Sequence, residues 1–161
     1  MSIRKTTLQD LPIVMDIYEQ ARAMMRESGN PNQWKDDRPS QEQIIRDIDQ
    51  RVSYVYEIDG TIVAVFYFNV QTDPTYSKID GQWLNDGPYG VVHRIARARD
   101  AKGVGAFCLN WCFAAHPNIR IDTHRDNAPM LKLLDKLGFV YCGIIWIENG
   151  DERMAFQKVD K

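Results

Sequence analysis

Residues 93–111, HRIARARDAKGVGAFCLNW, carry three arginines on a strand-like run, then Gly103 and Gly105, then an apolar helix. Glycines at the mouth of a helix permit close approach, and the helix's unpaired N–H groups and positive dipole end can hold a phosphate. The same glycines could serve only to pack the helix on its strand, and the loop alone leaves both readings open. Narrower motifs can be tested on spacing. A P-loop needs Lys-Ser/Thr after its last glycine, but Gly105 is followed by Ala106 and Phe107. A dinucleotide fingerprint needs a third glycine where this chain has Cys108, although Asp122, 17 residues beyond Gly105, imitates the ribose-binding acid. Strands expected to run antiparallel before and after the loop argue further against it. Cys108, Cys112 and His116 imitate a metal site, but at i, i+4 and i+8 the outer two stand about 12 Å apart along a helix, too far to share one ion. They read as a small buried face with Val104, Phe107 and Trp111, and no metal is expected.

The elements that position this stretch follow from periodicity. SIRKTT is a strand, and TLQD opens a helix whose Leu11, Val14, Met15, Tyr18, Ala21 and Met25 share an apolar face. Residues 28–40 read as a loop, and SQEQIIRDIDQ as a short helix capped by Ser40. Asp59-Gly60 between β-branched and aromatic runs predicts a hairpin. Residues 71–88 form a second long loop, of a length that often serves function. A strand (YGVVHRIAR), a helix (103–115), a strand (NIRIDTH), a helix (128–137) and two strands around Asn149-Gly150 complete the chain. The reading is a mixed α/β (α+β) domain over residues 1–161 with about six to seven strands and helices on both faces.

Composition narrows the classes. Twenty Lys+Arg against 22 Asp+Glu give a net charge of −2, without the basic field that nucleic-acid binding needs. No run approaches the ~20 apolar residues of a membrane span. Three cysteines, an odd number, read as thiols rather than a disulfide framework. A cytoplasmic protein acting on neither membrane nor nucleic acid is expected.

Residues 93–106 resemble the acyl-CoA loop of the GNAT superfamily of N-acetyltransferases, a strand ending in a short triplet (here Ile95, Ala96, Arg97) followed by Q/RxxGxG/A. DNAPMLKLLDKLGF, with Asn127, Met130, Leu133 and Gly138-Phe139, is similar to a second element of that superfamily, and the element order fits along nearly the whole chain. The resemblance implies a central sheet with splayed strands and acetyl-CoA as acyl donor. Its pantetheine arm would pair with the free backbone of Ile95, Ala96 and Arg97. Asp100, Lys102, Gly103, Val104, Gly105 and Ala106 would surround the pyrophosphate, and Asn127 and Met130 would complete the donor site. Asp100 departs from the pattern, standing where Gln or Arg is usual.

The implied reaction is attack by a primary amine on the thioester. An ordinary alkylamine of pKa about 10.4 is almost wholly protonated at pH 7, so a base is useful. Relatives often use a Glu on the central strand; here that region reads Val91, Val92, His93, making His93 the first candidate and His124 the second. Alternation along the strand puts His93 and Arg94 on opposite faces. Leu134 replaces the Tyr that protonates the leaving thiolate in many relatives, and Tyr141 or water is left for that role. Trp34, Tyr76, Trp83 and Asp86, with Tyr89, are expected on the acceptor side, Asp86 pairing with a cationic amine. The acceptor is a small-molecule amine or a peptide, and a homodimer is allowed. The alternative is a non-catalytic acyl-CoA sensor, distinguished by binding acetyl-CoA without releasing CoA to any amine.

Overall fold

Asp59 and Gly60, at φ 51° and 78°, reverse the chain between β2 (Ser53–Ile58) and β3 (Thr61–Val70), as a two-residue hairpin turn requires. In this computed structural model, which describes residues 2–35 and 38–160, that hairpin is extended by β1 (Ser2–Lys5) on one side and β5 (Gly90–Arg97) on the other. The second half adds β6 (Asn118–Thr123), β7 (Val140–Trp146) and β8 (Glu152–Val159). Among the described residues eight strands form one mixed sheet, ordered β1-β2-β3-β5-β6-β8-β7-β4. The eighth, β4 (Asp80–Gly81), lies inside the segment that reads as a loop in sequence and pairs with Gly143 and Ile144 of β7.

Helices cover both faces. α1 (Leu11–Glu27) and α2 (Gln41–Asp49) bury Val14, Ile17, Tyr18, Ala21 and Ile44 against Val55, Val65 and Ala96. α1 enters through a 3-10 turn at Leu8–Asp10, where Asp10 accepts from the Thr7 backbone N–H at 2.8 Å. On the opposite face α3 (Val104–Ala115) and α4 (Ala128–Lys136) close over Phe66, Phe68, Val92, Ile119, Ile121 and Phe156. Leu134 is fully buried in this layer, which accounts for an apolar residue there. Cys108 and Cys112 are buried beside it, Cys108 with its thiol pushed up to about 12 by burial, and His116 turns away to the Pro88 carbonyl. The 71–88 segment packs on the α1 side of the sheet through Tyr76, which with the adjoining Tyr89 stands against Val91, Ile145 and Ala155.

β6 runs parallel to β5, correcting the antiparallel expectation for the strand that follows the glycine loop. Only Gly90–Ile119 and Val91–Arg120 are in register. Beyond Val91 the strands part, leaving that edge of β5 without a β6 partner.

Candidate active site

The splay is reinforced by a bulge. The register of β3 on β5 shifts between Val65 and Tyr67, and Arg94 adopts φ 50°, a conformation costly for a residue with a Cβ. The bulge overrides alternation. His93 and Arg94 both project to the α1/α2 side, the His93 ring 5.3 Å and the Arg94 guanidinium 4.9 Å from the Tyr67 ring, so the opposite-face expectation is corrected. Arg94 is held by two hydrogen bonds to Asp47 of α2, at 2.9 and 3.0 Å, and its carbonyl accepts from the Tyr18 hydroxyl at 2.7 Å.

His93 stands where the strands separate. Its Nε2 lies 2.6 Å from Asp73 Oδ2, and its Nδ1 lies 3.9 Å from Asp122 Oδ1. Burial opposes charge on Asp73, but the hydrogen bond and attraction of His93 and two hydrogen bonds from Thr75 outweigh it and hold the carboxyl down at about 2. An ionised carboxylate can only accept, so the shared proton belongs to Nε2, and the form of the ring that can act as a base carries its lone pair on Nδ1. Asp122 Oδ1 accepts from the Tyr76 hydroxyl at 2.7 Å, and burial, then the charge of Asp122, push Tyr76 well above its ordinary range.

The 71–88 segment delivers these groups by local turn chemistry. Asp73 caps a 3-10 turn at Pro74–Tyr76, and the Tyr89 hydroxyl accepts from the Asp73 backbone N–H at 2.9 Å. Trp83 Nε1 donates to the Tyr76 carbonyl at 3.0 Å. Further along, Gly81 and Gly143, at φ 141° and 146°, let the backbones of β4 and β7 touch, and Leu84 N–H reaches Gln157 Oε1 at 2.8 Å.

A cleft of about 850 Å³ opens above His93, lined by Trp34, Tyr67, Asp73, Asp122, Asn127 and Met130 among others. On the opposite side of the splay is the glycine loop. Gly103 is the N-cap of α3 at φ 74°, with open space where a Cβ would stand, whereas a Cβ on Gly105 would meet Leu133 Cδ2 at 3.2 Å. The two readings of the loop therefore divide between its glycines: Gly103 makes the turn that presents the first helical amides, and Gly105 lets α3 sit close on α4. Val104 is buried in the core, Ala106 is half-buried, and Lys102 and Asp100 are exposed. Arg97 folds over its own loop, donating to the carbonyls of Ala98, Arg99 and Ala101. Ile95 and Ala96 sit on the strand's parted stretch. These residues suit an acyl-CoA: an open strand edge, a helix N-terminus, and a glycine whose surroundings leave room.

The remaining residues singled out in the sequence distribute unevenly. Trp34 joins the cleft, edge-on to Tyr18 at 5.6 Å. Tyr76 and Trp83 lie behind it, Tyr76 against Asp122 and Trp83 over the Arg120 guanidinium at 4.2 Å. Asp86 is exposed. His124 is not brought to His93. Its Nδ1 accepts from the Asp126 backbone N–H, it lines a second cavity of about 510 Å³ that shares Arg153 with the cleft, and burial with Arg153 nearby lowers its pKa. Tyr141 is exposed, its ring edge-on to Phe156 at 5.7 Å.

Sequence reasoning missed Asp73, Gln33 and Arg153. Asp73-Pro74-Thr75 carries a turn signal that fixes an aspartate in space, and the signal was available. Nothing local marks Gln33, whose Oε1 accepts from Asn127 Nδ2 at 2.9 Å and from Asn30 Nδ2 at 3.0 Å. Asn127 itself caps α4 through the Met130 N–H.

No family model matches the sequence, and no curated protein matches it. Solved structures do. A GNAT-family acetyltransferase from Streptococcus agalactiae 2603 superposes with a TM-score of 0.90 at 30% identity, covering 99% of this chain and 95% of that one. One from Listeria monocytogenes 4b F2365 gives 0.71 at 18% identity over 98% and 93%. A ribosomal-protein-alanine N-acetyltransferase from Brucella melitensis gives 0.64 at 18% over 99% and 100%. The latter two share the fold; the first, at its identity and coverage, goes further. With the parted strands, the open β5 edge and the glycine-capped α3, it establishes that the chain belongs to the GNAT family of acetyltransferases.

Proposed function

We propose that this chain transfers an acetyl group from acetyl-CoA to the primary amine of a small-molecule or peptide acceptor, with His93 as general base. The observation that carries the reading is the Asp73–His93 pair at 2.6 Å, placed where β5 and β6 separate and opening on the cleft. Asp73 fixes the ring and supports the imidazolium; Nδ1 takes a proton from the bound ammonium. The freed amine attacks the thioester carbonyl, a C–N bond forms, the C–S bond breaks, and the thiolate takes the second proton shed by nitrogen. A thiolate whose parent pKa is about 8.5 leaves without a dedicated acid, so Leu134 at the tyrosine position is compatible with turnover. On the donor side, the resemblance assigns Ile95–Arg97 to the pantetheine and the amides at 103–106 to the pyrophosphate. Three free cysteines suit a reducing, cytoplasmic setting.

The test is release of CoA thiol from acetyl-CoA across a panel of amines, with the acylated product identified by mass. Turnover that collapses in His93→Gln while acetyl-CoA still binds supports the assignment. Acetyl-CoA binding with no turnover for any amine would leave the chain a sensor.

A further inference from the structure

Asp122 and Arg153 form an open pair of opposite charges. Ala155 is the register partner of Asp122 across β6 and β8, so Arg153, two residues earlier, projects from the same face as a diagonal neighbour. Diagonal neighbours are separated by about 7–8 Å, and both residues line the cleft beside His93. Yet they do not close on each other. Tyr76 holds Asp122 Oδ1 at 2.7 Å, leaving Oδ2 without a hydrogen-bond partner among the described residues. Arg153 is tied instead to two carbonyls, those of Glu152 at 2.9 Å and Gln33 at 3.0 Å.

Arg153 is 5% exposed, and among the described residues no carboxylate oxygen lies within 4.0 Å of its nitrogens. Asp122 and Asp151 act on it only from beyond ion-pair distance, burial lowers its pKa despite them, and hydrogen bonds to neutral carbonyls satisfy its donors without neutralising it. Arg94 shows the contrast, since Asp47 takes its charge with two short hydrogen bonds. The other charged residues of the cleft, Arg38, Arg46 and Glu148, are exposed to solvent.

We infer that the acceptor is an α-amino acid, its ammonium held by Asp122 Oδ2 beneath His93 Nδ1 and its carboxylate received by Arg153. An α-amino acid carries its cation and its carboxylate on one carbon, so it can meet an acid and a guanidinium that project from the same face of two paired strands. A polyamine would set a second cation against Arg153. A peptide amino terminus would offer it only a neutral carbonyl. The inference rests on the acetyl-transfer reading above and names its substrate class; Asp122 and Arg153 act as specificity-determining residues.

The experiment measures kcat/KM with acetyl-CoA for L-alanine, L-alaninamide and ethylamine, for L-phenylalanine and phenethylamine, and for spermidine. The expected result is a preference of about 100-fold or more for each amino acid over its counterpart lacking the carboxylate. In Arg153→Met that preference disappears through a raised KM for the amino acid; Arg153→Lys restores part of it. Thermal unfolding of both variants reports whether they fold, and the wild-type panel decides the matter if they do not. Ethylamine, alaninamide or spermidine used as well as the amino acids overturns the inference and leaves N-acetyl transfer standing. An equal fall on all acceptors in a folded Arg153→Met also overturns it. Acetyl-CoA binding without turnover of any amine overturns the underlying reading, and the inference with it.

Discussion

Asp73 and His93 are 20 residues apart in sequence and 2.6 Å apart in space, and the segment between them is pinned at both ends of its excursion. The Asp73 turn fixes one end and the Gly81–Gly143 contact the other, so the acid that orients the ring is built into a loop braced against a distant strand.

His93→Gln is expected to lower kcat/KM by about 10²- to 10⁴-fold. It should also flatten the limb of the pH–rate profile that a histidine base produces. Acetyl-CoA affinity, measured by calorimetry, should hold, because the donor contacts assigned above lie elsewhere. Asp73→Asn should fall between wild type and His93→Gln in kcat, since the amide still fixes the ring but cannot balance the imidazolium.

Acid stability should carry the same signature. Asp73 is held at about 2 against an ordinary 3.8, so its contribution is fully present above about pH 4 and is lost as pH falls through about 2. Asp73→Asn is expected to lose stability on the order of 1–2 kcal/mol at neutral pH and to converge on wild type in strong acid. Urea melts from pH 6 down to pH 2 test this. Asp10, held at about 2 chiefly by the Arg4 hydrogen bond, gives the wild type a second acid limb that the variant retains.

Much of the architecture was legible because its signals are local. The Asp59-Gly60 hairpin, the apolar face of α1, the Ser40 cap and the glycine at the head of α3 each declare themselves within a few residues. The bulge at Arg94 does not. It is set by Asp47 and Tyr18, on helices far away in sequence, and it moves a side chain that alternation assigns to the other face. β4 was hidden for a similar reason: a two-residue strand has no period, and Gly81 matters only because Gly143 stands opposite. In sequence Asp122 stands out only as an imitation of a ribose-binding acid in a motif the chain lacks; its partner Tyr76 lies 46 residues away.

Gly143→Ala and Gly81→Ala should disable the site from a distance. A Cβ at Gly143 would stand 2.2 Å from the Asp80 carbonyl oxygen, and one at Gly81 2.1 Å from that of Cys142, with backbone on both sides. Either change should cost more than the roughly 1–3 kcal/mol of the strained φ alone, because the backbone opposite must also shift. Hydrogen exchange should quicken across residues 80–84, and activity should fall with it. Unchanged protection there would show that β4 does not brace the loop.

The two loop glycines should separate in opposite assays. Gly103→Ala meets no atom within 4 Å but strains the turn by about 1–2 kcal/mol, and should raise the KM for acetyl-CoA severalfold. Gly105→Ala presses on the movable end of Leu133 and should show itself in the melting temperature first. Asp100→Arg, exchanging an exposed carboxylate for a cation beside the proposed pyrophosphate site, should tighten acetyl-CoA binding and steepen its salt dependence.

Two register pairs are all that β5 and β6 share, so the sheet is two half-sheets stitched at one corner. In the proposed reading the donor supplies the missing rungs, which makes acetyl-CoA a structural strut as well as a reagent. Saturation at 100 times Kd should then add about 2.7 kcal/mol to the stability of the whole fold. In that reading each catalytic cycle removes and replaces a piece of the protein's own β-sheet.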